Sequence, residues 1–385
     1  MIYFDSKAST LIHPKVAESI FDLYKNQLSN PHSTHYLGQN AIGYVDIARK
    51  KISDYLGVKF NEIIFTSGAT ESNNIAIQGV VRNYFKYNNY AEIIVSPIEH
   101  SSVLNTIYEL GSEFKDKLKI NILSIGENGV VDPLEVQNLI TKNTILVSVM
   151  HINNEIGTIQ PIKEIGKIIK KYRQENNSKY PYFHSDGAQA VGHIKLNLNY
   201  LNVDLYSISG HKIYGPKGVG ALFIKEKTLI QALNFGGGQE YSMRAGTISP
   251  ELIYGMKVAF DILSEEEYRI KLEEIKSLRD YLLNKLLNHT KVKLNGEIEF
   301  IDYNTINISI EGMTSEELVI AFDLAGIAIS AGSACHSGSI EMSETVYQIT
   351  KSQERANSCI RISLSIYNTR QEVDKFLEVF EKITS

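Results

Sequence analysis

Tryptophan is absent from this chain, and cysteine occurs only at Cys335 and Cys359. Two cysteines in 385 residues cannot build a disulfide framework, and no CxxC pair offers a zinc site. A reducing compartment is the expected home. Long hydrophobic runs are missing as well. None approaches the roughly 20 residues needed to cross a bilayer, so no membrane role is expected. Basic clusters are also lacking: 39 Lys and Arg stand against 44 Asp and Glu, a formal net charge of −5. No block of one sign supplies the electrostatic footprint of direct nucleic-acid binding. The opening Met1-Ile2-Tyr3-Phe4-Asp5 has neither the basic nor the apolar region of a signal peptide, which makes a cytoplasmic location the expectation. The missing tryptophan, beside plentiful Tyr, Asn, Lys and Ile, reads as genome composition without functional content.

What is present is an ordinary globular composition, 43% hydrophobic and 22% charged, with a length that suggests two domains. Short apolar runs alternate with helical patterns. Ile63-Ile64-Phe65, Ile93-Ile94-Val95, Ile145-Leu146-Val147-Ser148-Val149, Tyr182-Phe183-His184-Ser185-Asp186 and Asp204-Leu205-Tyr206-Ser207-Ile208 each read as a buried strand, and 218–224 as a further one. A helix is expected over 162–172, with Ile165, Ile168 and Ile169 on one side. This order predicts an α/β domain whose mostly parallel sheet is flanked by helices on both faces. Near residue 257 the pattern changes. A long charged amphipathic helix is expected over 265–287. Strictly alternating strands follow at Thr305-Ile306-Asn307-Ile308-Ser309-Ile310 and Cys359-Ile360-Arg361-Ile362-Ser363-Leu364, with helices at 315–324 and 370–383. This is the pattern of a smaller α+β C-terminal domain whose sheet is exposed on one face.

Ligands of open α/β sheets bind beyond the carboxyl ends of the strands, and polar residues cluster there. Thr66-Ser67-Gly68-Ala69-Thr70-Glu71 leaves a strand through a tight glycine turn into a helix, which suits either a phosphate cradle or a plain capped helix start. Ser209-Gly210-His211-Lys212 ends another strand. A lysine there is either an ordinary surface residue or a desolvated amine able to form a Schiff base. Asp186 ends a third strand, where a carboxylate can pair with a protonated pyridine nitrogen. Lysine and carboxylate together suggest pyridoxal 5'-phosphate (PLP), with Gln189 donating to the ring hydroxyl and Ser209 and His211 to the phosphate. His100 could stack on such a ring and shuttle protons, and Asn154 could bond cofactor or substrate. Cys335 sits among glycine, serine and alanine with no apolar face, so it is a candidate nucleophile; Cys359, beside Ile360, fits a buried hydrophobe. Arg361 inside an apolar strand needs a partner, either a substrate carboxylate or a structural Asp or Glu. Gly236-Gly237-Gly238-Gln239-Glu240 and Met243-Arg244-Ala245-Gly246-Thr247 form a glycine-rich crossing, an interdomain turn or a loop reaching another site.

Taken in order, these motifs resemble the cysteine desulfurases of the NifS/IscS-like, fold-type I PLP-dependent family, from about Tyr3 to the C-terminus. The resemblance implies conversion of L-cysteine to L-alanine, with sulfur held as a persulfide on the enzyme and passed to an acceptor protein. It implies that Lys212 is the Schiff-base lysine, Cys335 the persulfide cysteine and His100 the ring-stacking acid/base. Asp186, Gln189 and Asn154 match the ring and active-site partners; Ala69, Thr70, Ser209, Gly210 and His211 match the phosphate site; Arg361 matches the substrate-carboxylate arginine. Thr247 matches a threonine that reaches the phosphate of a second subunit, which implies a homodimer. The family fold implies a large PLP-binding domain over 15–256, and a small domain from 1–14 and 257–385 that carries the cysteine loop. The N-terminal Asp5-Ser6-Lys7-Ala8-Ser9-Thr10 departs from the family's usual Ala-Thr-Thr. The chain stops at Ser385, whereas iron–sulfur members carry a longer tail that docks their scaffold. The acceptor is therefore left open among iron–sulfur cluster assembly, tRNA thiolation, cofactor synthesis and DNA sulfur modification. A selenocysteine lyase or aminotransferase of the same fold, and a non-catalytic scaffold, are the other readings. The thiol of Cys335 has no use in a transaminase, and a scaffold has no use for both Lys212 and Cys335.

Overall fold

The computed structural model describes residues 1–26, 28–332 and 341–384. Its main sheet has seven strands, in the order Ile63–Thr66, Gly220–Ile224, Leu205–Ser209, Tyr182–Asp186, Thr144–Ser148, Ala91–Val95 and Leu118–Ile122. All neighbours run parallel except Gly220–Ile224, which is antiparallel to both strands beside it. Every residue of Thr144–Ser148, Tyr182–Asp186 and Leu205–Ser209 is buried, because successive side chains point to opposite faces and both faces are covered. Ile93 and Val95 face the helices Ala69–Phe85 and Ser101–Phe114, packing with Ile77, Val80, Val103 and Ile107. Ile94 points the other way, into a larger core with Val45, Ile52, Ile165 and Met256 from Tyr36–Leu56, Ile162–Glu175 and Pro250–Leu263. The edge strand Leu118–Ile122 carries Lys119 and Asn121 between its apolar residues and is half exposed; that mixed composition hid it from the sequence reading.

The second body is a three-stranded antiparallel sheet, in the order Cys359–Ser363, Thr305–Ile310, Val292–Leu294. Ile306, Ile308, Ile360 and Ile362 pack against Leu318, Phe322, Phe376 and Phe380 in a core of their own. The expectation of an exposed second face does not hold: every residue of Thr305–Ile310 and Cys359–Ser363 is buried. The polar face docks on the large body, where Asn307 Nδ2 donates to the Glu155 carbonyl at 3.1 Å and Arg361 Nη1 to the Asn154 carbonyl at 2.8 Å. Alternation identifies which face is polar; it cannot say whether water or protein covers that face.

The first residues of the chain pack with this second sheet and its core. Ile2–Tyr3 pairs in parallel with Ile327–Ala328, and Phe4 lies in the second core. The expected boundary at 256/257 falls inside the helix Pro250–Leu263. That helix and Tyr268 pack into the large core, and the second core takes over from Ile275. Both Tyr268 and Ile275 lie on the helix Glu266–Leu287, which thus contributes to both cores.

Gly166, on the helix Ile162–Glu175, lets the chain at Leu201 approach closely: a Cβ there would stand 2.0 Å from the Leu201 carbonyl oxygen. Gly166→Ala is therefore expected to destabilise the protein by about 1–3 kcal/mol, the range for overpacking a tight contact. Urea unfolding checks this through a lowered midpoint with an unchanged slope.

Candidate active site

The carboxyl ends of the main-sheet strands open on a cavity of about 590 Å³. Ala69, Thr70, His100, Asn154, Asp186, Gln189, Ser209, His211, Lys212 and Arg361 all line it. Residues up to 292 positions apart, Ala69 and Arg361, are thus not assembled by local structure; loops following separate strands and one strand of the second body bring them together. Gly210 is buried in the turn beneath the cavity, where a Cβ would meet the Pro216 carbonyl at 2.8 Å. Thr247 lies outside the cavity, in a hollow of about 160 Å³ that shares Ser67 and Gly218 with it. Cys335 falls outside the described residues.

At one end of the cavity, Gly68 (φ 153°) hands the strand Ile63–Thr66 to the helix Ala69–Phe85. The space that its absent Cβ leaves faces Ser209, whose Oγ would be 3.7 Å away. A helix N-terminus offers backbone N–H groups and a partial positive charge to an anion. Thr66 Oγ1 and Ser72 Oγ, 2.8 Å apart, brace the turn, and Ser67 N donates to Glu71 at 2.5 Å. Lys212 and Lys217 line the same cavity. Burial, followed by the charges of Lys212 and Lys217, pushes His211 down to about 4. It is therefore neutral at pH 7, and its Nδ1 lies 3.2 Å from Ser9 Oγ.

Farther in, Asp186 is 5% exposed. One carboxylate oxygen accepts from Asn73 Nδ2 at 2.7 Å and the other from the Ala188 N–H at 2.9 Å. The Lys212 amine donates to the carbonyls of Lys7 (2.5 Å) and Ala8 (3.0 Å), and Gln189 Nε2 to that of Lys7 at 3.0 Å. His100 caps the helix Ser101–Phe114: its Nδ1 accepts from the Ser102 N–H at 3.1 Å and lies 2.7 Å from Ser102 Oγ. An amine, a held carboxylate, an imidazole and an anion-favouring helix start around one cavity form the donor set that PLP requires. The residues fit the group. No cluster of three or more His, Cys, Asp or Glu among the described residues is arranged for a metal.

Arg361 joins both readings made for it. It lines the cavity and is 1% exposed, yet its Nη2 pairs with Asp5 at 2.7 Å. Its Nη1 donates to the carbonyls of Asn154 (2.8 Å) and Gly332 (3.3 Å), while Nε has no hydrogen-bond partner among the described residues. Cys359 is 1% exposed, and burial foremost pushes its thiol up to about 12. The glycine-rich crossing is anchored: Arg49 grips Glu240 through two bonds, 2.9 and 2.6 Å, and Glu240, Tyr241 and Ser242 stand at positive φ.

Sequence reasoning missed two parts of the site. Lys7, Ala8 and Ser9 form one wall; only their place in the departing N-terminal motif marked them. Glu99, the neighbour of His100 in sequence, is buried and bonds the backbone of Met150, which lines the cavity. Its Oε1 accepts from the Met150 N–H at 2.5 Å and Oε2 has no partner among the described residues. Burial, with the Asp186 charge adding to it, pushes Glu99 up to about 8.

Comparison with known proteins gives a consistent result. The aminotransferase class-V family pattern matches residues 2–376. A probable mitochondrial cysteine desulfurase of Dictyostelium discoideum is 42% identical over 385 residues, covering 99% of this chain and 82% of that protein. The cysteine desulfurase IscS of Dictyoglomus turgidum is 40% identical, covering 99% and 94%. A solved NifS-like protein superposes with a TM-score of 0.90 at 34% identity, covering 99% and 98%.

Glu99 generates a pH prediction. The folded chain keeps a carboxyl proton that the unfolded chain releases, so the stability attached to Glu99 falls as pH rises from the ordinary carboxyl range towards 8. Glu99→Gln does not titrate. Its stability relative to wild type, measured by urea unfolding of the apoprotein, should rise between about pH 5 and about pH 8 by on the order of 2 kcal/mol. An identical difference at both pH values would refute this.

Proposed function

The chain belongs to the aminotransferase class-V family, among its cysteine desulfurases, and from this premise we propose how its own residues divide the work. The protein is a PLP-dependent enzyme that converts L-cysteine to L-alanine and retains the sulfur as a persulfide. The observation that carries the residue assignment is the meeting of Lys212, Asp186, His100 and the helix start at Ala69 around one cavity.

Lys212 would hold the cofactor covalently through its amine. Ala69, Thr70, Ser209 and His211 would hold its phosphate, with Gly210 giving the turn its shape. Asp186 would pair with a protonated pyridine nitrogen, and Asn73 fixes that carboxylate. Gln189 would donate to the ring oxygen. When bound, PLP would supply the electron sink that makes the substrate Cα proton removable. His100 would move protons between substrate and cavity. Arg361 holds the substrate carboxylate with Asn154 beside it, and Asp5 orients the guanidinium. The thiolate of Cys335 attacks the substrate sulfur. An S–S bond forms, the C–S bond breaks, its electron pair stays with the substrate carbon, and protonation there yields alanine.

A sulfur-acceptor protein then takes the sulfur from Cys335. The working unit is a homodimer in which Thr247 of each subunit completes the other's phosphate site; its place beside Ser67 and Gly218, outside its own cavity, supports this. A cytoplasmic location suits a thiol that must stay reduced, and no helix among the described residues is long and apolar enough to cross a membrane.

Alanine and sulfide released from L-cysteine test the activity. Lys212→Ala should lose the yellow colour and all turnover. Cys335→Ala should stay yellow and bind cysteine but form no persulfide, whereas Cys359→Ala should keep turnover at a packing cost of about 1 kcal/mol. Mass spectrometry decides between the thiols: added sulfur on the Cys359 peptide, with none on Cys335, would reverse the assignment.

Subunit sharing has its own test. Mixed Thr247→Ala and Lys212→Ala subunits should regain activity that neither parent has, because one hybrid site carries both native residues. An active monomer in sedimentation would exclude this arrangement.

A further inference from the structure

Lys7 is 2% exposed and lines the cavity, and the chemistry above makes no use of its ammonium group. Its Nζ lies 2.5 Å from Asp302 Oδ2, with both side chains out of contact with water. His193 Nδ1 meets the same oxygen at 3.1 Å, and its ring stacks on Tyr303. Asp302 is itself tied on both sides: its N–H donates to the Gly157 carbonyl at 2.9 Å, and its carbonyl accepts from Arg279 at 3.1 Å. One ion pair thus fastens the N-terminal segment to a loop of the second body and, through Gly157, to the loop that carries Asn154.

The backbone of the same segment forms the cavity wall. The Lys7 N–H donates to Ser363 Oγ at 3.0 Å, and its carbonyl accepts from both Lys212 Nζ and Gln189 Nε2. Two residues earlier, Asp5 pairs with Arg361. A shift of residues 5–8 would therefore move the acceptors of Lys212 and Gln189 and the partner of Arg361 together.

Burying two charges costs desolvation that their attraction need not recover, so such a pair is poorly explained as a source of stability. What it does supply is direction: an ammonium against one carboxylate oxygen has one good geometry, whereas two apolar side chains can slide. We propose that the Lys7–Asp302 ion pair is a positioning device for the cofactor lysine and the substrate-carboxylate arginine, acting through the backbone of residues 5–8. The inference rests on the roles given to Lys212 and Arg361 above.

The test replaces the pair by apolar residues, Lys7→Met with Asp302→Leu, and in a second variant removes only the charge, Asp302→Asn. The double variant should melt at or above the wild-type temperature, as apolar replacements of buried ion pairs often do. Its apoprotein should take up PLP, followed by visible absorbance, about ten-fold more slowly, and KM for L-cysteine should rise about ten-fold with a smaller fall in kcat, the order of effect expected from a small misplacement of reacting groups. Asp302→Asn leaves the Lys7 ammonium buried without its counter-charge, so it should show both defects and also melt below wild type; its uptake rate and KM, measured below its melting temperature, decide the matter if the double variant does not fold. Wild-type uptake and wild-type KM in a folded variant would overturn the inference. Lys212→Ala run alongside separates the two levels: if it still forms the visible chromophore, the assignment of Lys212 falls instead.

Discussion

The polar side of the small antiparallel sheet is buried against the loop 153–157 of the large body, and this contact determines where the second wall of the cavity stands. Asn307, Ser309 and Arg361 are each at most 3% exposed. Buried polar groups must find partners, and here they do so in a connected set: Asn307 with the Glu155 carbonyl and Asn295, Ser309 with Asn295 and the Arg355 carbonyl, Arg361 with the Asn154 carbonyl and Asp5. An apolar interface of the same area would tolerate sliding. A hydrogen-bonded one has a single register, and Arg361 enters the cavity in that register.

Charge inside the large body is arranged by the same economy. The imidazoles behind the cavity are neutral: burial pushes His151 down to about 3 and His184 to about 4. His184 lies on Ser148 Oγ and His151 on the Tyr206 hydroxyl, each at 2.8 Å. Burial likewise favours the neutral form of Glu99. The carboxylate that faces the cavity from this layer is Asp186, held by two donors. A ring nitrogen brought beside it meets one oriented carboxylate with neutral groups behind it, which favours the protonated ring. The helix start and Lys217, which line the same cavity, favour an anion. The lining thus offers one place to an anion and another, beside Asp186, to a protonated ring nitrogen.

The N-terminal segment links these two features. It pairs with the second body through Ile2–Tyr3 and the Asp5–Ser363 bridge. It then crosses to the large body, where the Thr10 N–H donates to the His211 carbonyl at 2.9 Å. In between, its carbonyls receive the Lys212 amine. A piece of chain with little regular structure thus supplies a wall that neither sheet could.

The sequence by itself determined the parts that depend on local periodicity and on residue chemistry. Continuous runs such as Thr144–Ser148 required a sheet covered on both faces, and the strand ends at Thr66, Asp186 and Ser209 marked where the carboxylate, the lysine and the anion-favouring turn would lie. The ordered motifs pointed to the family, and ten of the residues they marked meet at one cavity. Tertiary structure alone decided the rest, because it turns on contacts between distant segments. Alternation in Thr305–Ile310 could not reveal that its polar face is covered by protein. No pattern around Lys7 announces a partner at Asp302, 295 positions away. Helix Pro250–Leu263 reads the same whichever core its end joins. Arg361 had two possible partners in sequence, and only the fold brings Asp5 and the cavity to it at once: a buried guanidinium must be satisfied by whichever acceptors packing places within reach, and packing is not written in neighbouring residues.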